Sequence, residues 1–127
     1  MTEMIPSQNA ANTISTFKNT EADRKTIFNA TSNSESLNKH MGETITVKGV
    51  FLTPGVRRGY DGGPDVACTN TYIVDMDGIS YFSQSSGVAR DIANLIGLFG
   101  ESVEGTKIRV GEREINGGRR VKYVEIV

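Results

Sequence analysis

The sequence predicts an all-β domain that carries one helix, and three observations lead to this fold class. Apolar and aromatic residues alternate with polar ones in several short runs, which is the pattern of half-buried strands. Two of these runs flank Asp77-Gly78 and two others flank Asn116–Gly118, and both segments favour tight hairpin turns. One apolar stripe at helical spacing lies between the two hairpins. We therefore expect five strands, with the helix between the third and the fourth.

The first predicted strand covers residues 43–52, where Ile45 and Val47 alternate with polar residues. Gly49 interrupts this run, and a glycine inside a strand indicates a bulge or a sharp bend. A long strand bent at that point can belong to both sheets of a small barrel. Residues 53–70 follow as a long loop with four glycines and two prolines. Loops of this length are usually functional or disordered.

The hairpin at residues 71–82 is predicted from the β-prone runs on either side of Asp77-Gly78. A two-residue turn sets Val74 opposite Tyr81 and places Tyr81 and Phe82 on opposite faces. We expect Phe82 to point into the core and Tyr81 to meet a ligand, whereas a solvent-facing Phe82 would reverse that assignment. An isolated hairpin is barely stable, so other strands must pair with it.

A short helix is predicted over residues 88–99, where apolar side chains recur at helical spacing. Ser85 or Ser86 can cap its start, and Gly100 can end it. We expect the apolar stripe to face the core.

The last two predicted strands, 106–115 and 119–127, are joined by the turn at Asn116–Gly118. A two-residue turn within this segment places one apolar set on a common face: Ile108, Val110, Val121 and Tyr123. The other face then carries a basic stripe: Arg109, Arg113, Arg120 and Lys122. The stripe indicates either a binding surface or an ordinary solvated sheet face.

The N-terminal region differs in composition from the rest of the chain. Residues 1–24 are polar and rich in Asn, Thr and Ser, which favours a flexible tail. The alternative is an arm that binds a partner or a second copy of the chain. The folded domain is predicted to span residues 25–127, and the apolar run KTIFNA at 25–30 can add an edge strand to it.

Five strands with a helix between the third and the fourth is the order of an OB-fold barrel. Ligands of this fold lie on the face of strands 2 and 3, between the loop after strand 1 and the loop before strand 5. Here these loops carry Arg57-Arg58 and Arg119-Arg120. An aromatic face between basic loops suits a single-stranded nucleic acid, because bases stack on rings while Lys and Arg contact phosphates.

The candidate nucleic-acid-binding residues are the cations and aromatic rings near this face. They are Lys48, Phe51, Arg57, Arg58, Tyr60, Tyr72, Tyr81, Arg109, Arg113, Arg119, Arg120 and Lys122. Each ring has packing in the barrel as its alternative role, and Phe51 fits both roles equally. Each cation has simple solvation as its alternative.

The charge balance and the scarcity of reactive side chains argue against several classes of function. The chain has 14 Lys and Arg against 15 Asp and Glu, so no overall basic charge indicates a nucleic-acid partner. Positive charge is instead concentrated near the C-terminus and around Arg57, which suits a local anionic partner. Cys68 is the only cysteine and His40 the only histidine, and neither has a catalytic partner close in sequence. We expect no enzyme activity, no metal site and no cofactor.

Four stretches, in this order and spacing, resemble a known family. They are residues 26–30 (TIFNA), 41–47 (MGETITV) and 77–81 (DGISY), and the helix that follows them. The chain resembles the small single-stranded-DNA-binding proteins of tailed phages of Gram-positive bacteria, including those that work beside protein-primed replication. The resemblance covers about residues 25–127 and implies an OB-like fold that coats single-stranded DNA without catalysis. It also implies that bases stack on Tyr81 and Tyr60.

The leading hypothesis is a protein that coats and protects single-stranded DNA during phage replication. Its candidate partners are single-stranded DNA, replication proteins of the phage or host, and further copies of the chain. The alternatives are an OB-like protein-interaction module and an RNA-binding protein that uses the same surface. No signal peptide and no apolar run of membrane-spanning length is present, so we expect the host cytoplasm and no membrane contact.

Overall fold

Seven strands of this computed structural model form one curled sheet, and two helices pack against it; the structure describes residues 14–59 and 62–127. In chain order the elements are β1 (Ile14–Ser15), α1 (Glu21–Ser32), β2 (Glu35–Ser36), β3 (Thr44–Arg57), β4 (Val66–Asp75), β5 (Ser80–Ser83), α2 (Ser86–Phe99), β6 (Lys107–Ile115) and β7 (Arg119–Ile126). The strand order is β2-β5-β4-β3-β6-β7, and β1 pairs with β3. The sheet is therefore a half-barrel whose outer strands are β2 and β7.

Strand β3 is the long bent strand that the sequence predicted. Its first residues, Thr44 to Thr46, pair with β6, and the register of its pairing with β4 shifts between Val47 and Gly49. This irregularity lies at the predicted glycine. A side chain at Gly49 would collide with the ring of Phe17, so the glycine also lets that ring lie against the strand.

Buried side chains form two clusters, one on each face of the sheet. The inner cluster, inside the curl, is Leu37, Ile45, Val47, Val50, Leu52, Ile73, Tyr81, Val88, Ile92, Leu95, Val103, Ile108 and Val110. The outer cluster is Ile27, Ala30, Phe51, Tyr72 and Val74, with Phe17 and Phe82 packed against it. Both faces of the second half of β4, residues 71–75, are therefore covered by other parts of the chain.

Helix α2 closes the inner cluster and confirms the predicted apolar stripe. Its buried residues are Val88, Ile92 and Leu95, and the side chain of Ser85 caps its start by accepting a hydrogen bond from the Val88 amide. A Cβ atom on Gly87 would overlap the backbone carbonyl of Lys122. The start of the helix therefore packs directly on β7.

The prediction of an edge strand at residues 25–30 is wrong, because this segment lies inside helix α1. The side chain of Thr20 caps the helix by accepting from the Asp23 amide at 3.1 Å. Ile27 and Ala30, three positions apart, point into the outer cluster, as helical periodicity requires. A short apolar run is ambiguous between helix and strand, and here the upstream cap favours the helix.

Part of the predicted N-terminal tail is folded onto the sheet. Ile14 and Ser15 pair with Leu52 and Phe51 of β3, and the Thr16 hydroxyl donates to the Val50 carbonyl and accepts from the Val50 amide. The predicted domain boundary at residue 25 thus lies within α1. Residues 1–13 of the predicted tail lie outside the described residues.

The register predicted for the 71–82 hairpin is wrong by one position. Tyr81 lies opposite Ile73, not Val74, because the turn holds three residues between Asp75 and Ile79 instead of two. The Asp75 carboxylate accepts from the Asp77 and Ile79 amides, both at 2.9 Å, and stabilises this wider turn. A shift of one residue exchanges the faces, so Tyr81 joins the inner cluster and Phe82 borders the outer one.

The five-stranded OB-fold prediction is therefore correct in its broad outline only. The structure is rich in β-strands and has a curled half-barrel sheet, which is consistent with an OB-like fold. Within residues 14–59 and 62–127 it has seven strands instead of five, since two short strands precede β3. Helix α2 accordingly follows the fifth strand, and α1 is an additional helix.

Candidate nucleic-acid interface

The predicted loop at 53–70 is largely a β-hairpin, which we call the arm. Residues 53–57 of β3 pair in it with residues 66–70 of β4. Strand β3 continues to Arg57 and pairs with β4 from Val66 onwards, so only the arm's tip is irregular among the described residues. Gln84, just after β5, fixes the arm: its side-chain amide donates to the Val56 carbonyl at 3.3 Å and to Asn70 Oδ1 at 3.0 Å. The arm therefore has a defined position beside the end of β5.

A cleft of about 290 Å³ lies where the arm, β5 and β7 meet. We call it the Phe82 cleft; its lining includes Arg57, Phe82, Gln84 and Lys122, together with small polar side chains. Arg57 comes from the arm and Lys122 from β7, and both were predicted as binding residues. No carboxylate is among the described residues that line this cleft. Two cations and a half-buried aromatic residue thus share one concave surface.

Three of the predicted stacking residues are buried instead. Phe51, Tyr72 and Tyr81 expose 0%, 8% and 7% of their surface. The Phe51 and Tyr72 rings stack on each other, with centroids 4.6 Å apart and planes at 11°. Burial also raises the pKa of Tyr72. None of the three presents a ring face that a base can cover in this structure, and their role in stacking remains a prediction.

Tyr81 has a specific partner in the interior. Its hydroxyl donates to Asp75 Oδ2 at 3.2 Å. Burial first, and then the negative charge of Asp75, raise the pKa of Tyr81 to about 12. The hydroxyl therefore stays protonated at neutral pH and links β5 to the carboxylate that organises the adjacent turn. Tyr60, the other tyrosine implied by the family resemblance, lies outside the described residues.

The predicted basic stripe is divided between two faces of the β6–β7 hairpin. The turn has three residues, so Ile115 pairs with Arg119, and Gly117 and Gly118 both adopt positive φ. This register sets Gly111 opposite Tyr123 and Glu112 opposite Lys122. The prediction that the four cations share one face is wrong. The third residue in the turn moves Arg120 and Lys122 to the face opposite to that of Arg109 and Arg113.

Arg113, Arg120 and Lys122 each have a partner within this hairpin. The Arg113 guanidinium lies over the Tyr123 ring, 5.4 Å from its centroid, on the face that also carries Arg109. On the opposite face, Arg120 Nε donates to Glu112 Oε1 at 2.9 Å, and Lys122 Nζ is 4.0 Å from Glu112 Oε2.

The remaining predicted cations do not line the Phe82 cleft. Lys48 and Arg119 are exposed on β3 and β7, and Arg58 is exposed beside Arg57. Arg109 is 4.0 Å from Glu125. Of the predicted set, the described cleft brings together Arg57 and Lys122 only.

Comparison with protein families shows to which family the chain belongs. A family described as phage single-stranded DNA-binding protein matches residues 7–122. The chain belongs to this family. The match includes α1, the arm, α2 and the Phe82 cleft, and it confirms the resemblance to the phage proteins of the protein-primed type. No curated protein and no solved structure matches the chain.

Membership of the family gives the cleft a chemical context, since single-stranded DNA supplies both flat bases and phosphates. Within the two described ranges, neither helix has the length and apolar character needed to cross a membrane. The same ranges contain no cluster of His, Cys, Asp and Glu arranged to hold a metal ion.

Two residues of the Phe82 cleft, Phe82 and Gln84, were not predicted from the sequence as binding residues. Phe82 was assigned to the core because the hairpin turn was predicted one residue too short. A three-residue turn ending at Gly78 was an available alternative, since glycine at positive φ often closes such turns. Gln84 had no local signal, because its two partners come from the distant arm.

His40 forms a cluster with Glu35 and Glu43 that should make the stability of the folded chain depend on pH. Its Nδ1 is 3.1 Å from Glu43 Oε1, its Nε2 is 2.7 Å from Glu35 Oε1, and its ring meets the Tyr81 ring edge-on. The hydrogen bond to Glu43 raises the pKa of His40, burial opposes it, and the bond to Glu35 adds to the increase. The net pKa lies above the ordinary value of 6.5.

We expect this cluster to stabilise the folded chain most at mildly acidic pH. The folded pKa of His40 is raised, so its contribution is complete below the unfolded pKa and is lost as pH rises through the folded value. Between about pH 6 and about pH 8.5, the thermal midpoint of the natural chain should fall relative to that of His40→Gln. If the thermal midpoints of the two proteins change in parallel with pH, the titration of His40 does not contribute to stability.

Proposed function

We propose that the chain is a non-catalytic protein that coats and protects single-stranded DNA during phage replication in the host cytoplasm. The observation that carries this proposal is the Phe82 cleft, where Arg57 of the arm and Lys122 of β7 line one surface with an aromatic residue. Family membership supplies the ligand class. Single-strand binding requires a cationic groove with rings beside it, and this cleft contains both.

In the proposed complex, Arg57 and Lys122 contact successive phosphates and a base stacks on Phe82. Stacking on an aromatic ring contributes about 1–3 kcal/mol per base and tolerates any sequence. Tyr60 is proposed as a second stacking residue because it follows Arg57-Arg58 closely in the sequence. Phe51, Tyr72 and Tyr81 support the sheet beneath, as their burial favours.

The hydrogen bonds of Gln84 support this arrangement by fixing the arm. Arg57 lies at the end of the paired part of the arm, one residue after the carbonyl that Gln84 binds. An arm held in place loses little conformational entropy when DNA binds, which favours affinity. Replication proteins of the phage or host, and further copies of the chain, are proposed as additional partners.

A titration with oligo-dT, followed by the emission of the tyrosines, tests the proposal. The chain has four tyrosines and no tryptophan, so its emission comes from tyrosine. We expect quenching on binding, and an affinity that falls with salt by a log–log slope of about −0.7 per phosphate contact. A labelled oligo-dT whose anisotropy is measured in parallel reports binding independently of quenching.

The matched control is Tyr60→Phe, which keeps the ring but removes its phenol emission. If Tyr60 is the stacking tyrosine, this variant should bind oligo-dT as tightly as the natural chain and lose most of the quenching. Absence of binding at low salt would overturn the proposal and favour a protein-interaction module. Tighter binding of a matched RNA oligomer would instead favour RNA as the ligand.

A further inference from the structure

A second and larger cleft lies between the arm and the first half of α2. Its volume is about 640 Å³, which is within the range of sites for small organic ligands. Much of its wall is formed by apolar or small groups, including Leu52, Pro54, Ala67, Ala89 and Ala93. We call it the α2 cleft. Such a wall provides a surface for the flat face of an aromatic ligand.

The charge of the α2 cleft is entirely positive among the described residues that line it. Arg57 and Arg90 are its charged residues, and no Asp or Glu side chain lines it. Arg90 Nε contacts Asp91 at 3.3 Å, but this ion pair is largely exposed on the arginine side, and pairs of that kind hold weakly. A guanidinium group can both bind a phosphate and stack on a base. An apolar wall with two arginines fits a ring that carries an anion.

The two clefts are adjacent, because Arg57 and Gln84 line both of them. A strand that leaves the Phe82 cleft past Arg57 therefore reaches the α2 cleft without crossing an acidic surface of either lining. We infer that the α2 cleft is a second nucleotide subsite of the same bound single strand, taking a base against its apolar wall and a phosphate on Arg90. This inference rests on the proposed function and extends it around the arm.

The chain contains its own probe for this subsite. Cys68 is the only cysteine, it lies partly exposed on β4, and it lines the α2 cleft but not the Phe82 cleft. N-ethylmaleimide is uncharged, so attraction of the reagent to the arginines does not affect the rate at which it modifies Cys68. The full natural chain is treated with this reagent alone and with saturating oligo-dT at low salt. Anisotropy of a labelled oligo-dT confirms saturation in the same samples.

We expect Cys68 to react readily in the free chain and at least about tenfold more slowly in the complex. This decrease in rate is expected if a bound base covers the thiol in most of the complexes at any moment. Bound oligo-dT with an unchanged Cys68 rate would overturn the subsite and leave the proposed function intact. A thiol that does not react in the free chain would overturn the subsite as well, because the cleft would then be closed. Failure of oligo-dT to bind would remove the proposed function and the subsite together.

Arg90→Ala separates direct occupancy from an indirect effect on Cys68. Loss of the phosphate contact should make the salt dependence of oligo-dT binding shallower by about 0.7 and restore several-fold reactivity to Cys68 in the complex. Lys25→Ala is the matched control, since Lys25 is an exposed cation on α1 that lines neither cleft. An Arg90→Ala variant with the natural slope and full protection of Cys68 would refute the subsite.

Discussion

Replacing Phe51 by alanine is expected to lower the free energy of unfolding by about 3–5 kcal/mol. The side chain is fully buried, its ring stacks on Tyr72 at 4.6 Å, and the Phe17 ring meets it edge-on at 6.2 Å. Truncation removes both contacts and leaves a cavity between the sheet and the N-terminal segment. Because small domains have only about 5–15 kcal/mol of stability in total, urea denaturation should show a large shift of the midpoint.

Phe28→Ala is the matched control for this prediction. Phe28 lies on α1 with 70% of its surface exposed, so its truncation should change stability by no more than about 0.5 kcal/mol. The pair also distinguishes the two roles that the sequence left open for Phe51. A stable Phe51→Ala variant with weakened DNA binding would show that the ring stacks on bases and does not pack in the outer cluster.

The parts of the fold that the sequence predicted correctly have strong local signals. Strand β3 alternates over its first half and contains the glycine at which its register shifts. Helix α2 has a serine cap, an apolar stripe and a terminating glycine, all within one segment. These signals depend only on neighbouring residues, so they can be recognised in the sequence without knowledge of the tertiary contacts.

Two errors in the candidate site, the facing of Tyr81 and the continuity of the basic stripe, have one physical origin, the length of two hairpin turns. Asp77-Gly78 and Asn116–Gly118 were both predicted as two-residue turns, and both hairpins instead have three residues between the paired strands. Side chains alternate along a strand, so one extra residue moves every following side chain to the opposite face. Tyr81 was exchanged with Phe82 in this way, and the basic stripe was divided.

The first turn illustrates why the sequence was insufficient. The wider turn is stabilised by Asp75, whose carboxylate accepts from two turn amides and also from the Tyr81 hydroxyl. The last contact depends on the packing of β5, which the dipeptide preference does not describe. A turn preference is a local property, whereas the register also depends on which face the remaining chain can bury.

Contacts distant in sequence account for what was missed elsewhere. The arm was predicted as a loop because its glycines and prolines obscure the strand pattern, yet Gly55 is required where the Asn70 side chain crosses it. Asn70 in turn accepts from Gln84, which fixes the arm to β5. Such a network becomes visible only when three separated segments are placed together.

Removing the two cations of the Phe82 cleft should have the largest effect on DNA binding. We expect the double variant Arg57→Ala, Lys122→Ala to make the log–log salt slope of oligo-dT binding shallower by about 1.4, from about 0.7 per lost phosphate contact. A charge-assisted contact contributes at least about 1.5 kcal/mol, so each loss should weaken binding roughly tenfold at low salt. Glu112 retains Arg120 as a partner at 2.9 Å, so the fold should tolerate the change at Lys122.

The control with equal charge is Lys25→Ala, Lys107→Ala, since both lysines are exposed and line neither cleft. This variant should retain the natural slope, which separates specific phosphate contacts from the effect of net charge on encounter. Arg57→Lys, Lys122→Arg should restore most of the slope, because it preserves both charges in place. If the alanine double variant keeps the natural slope while remaining folded, the strand does not pass through the Phe82 cleft, and the cations of the opposite β6–β7 face, where Arg113 covers Tyr123, are the next to test.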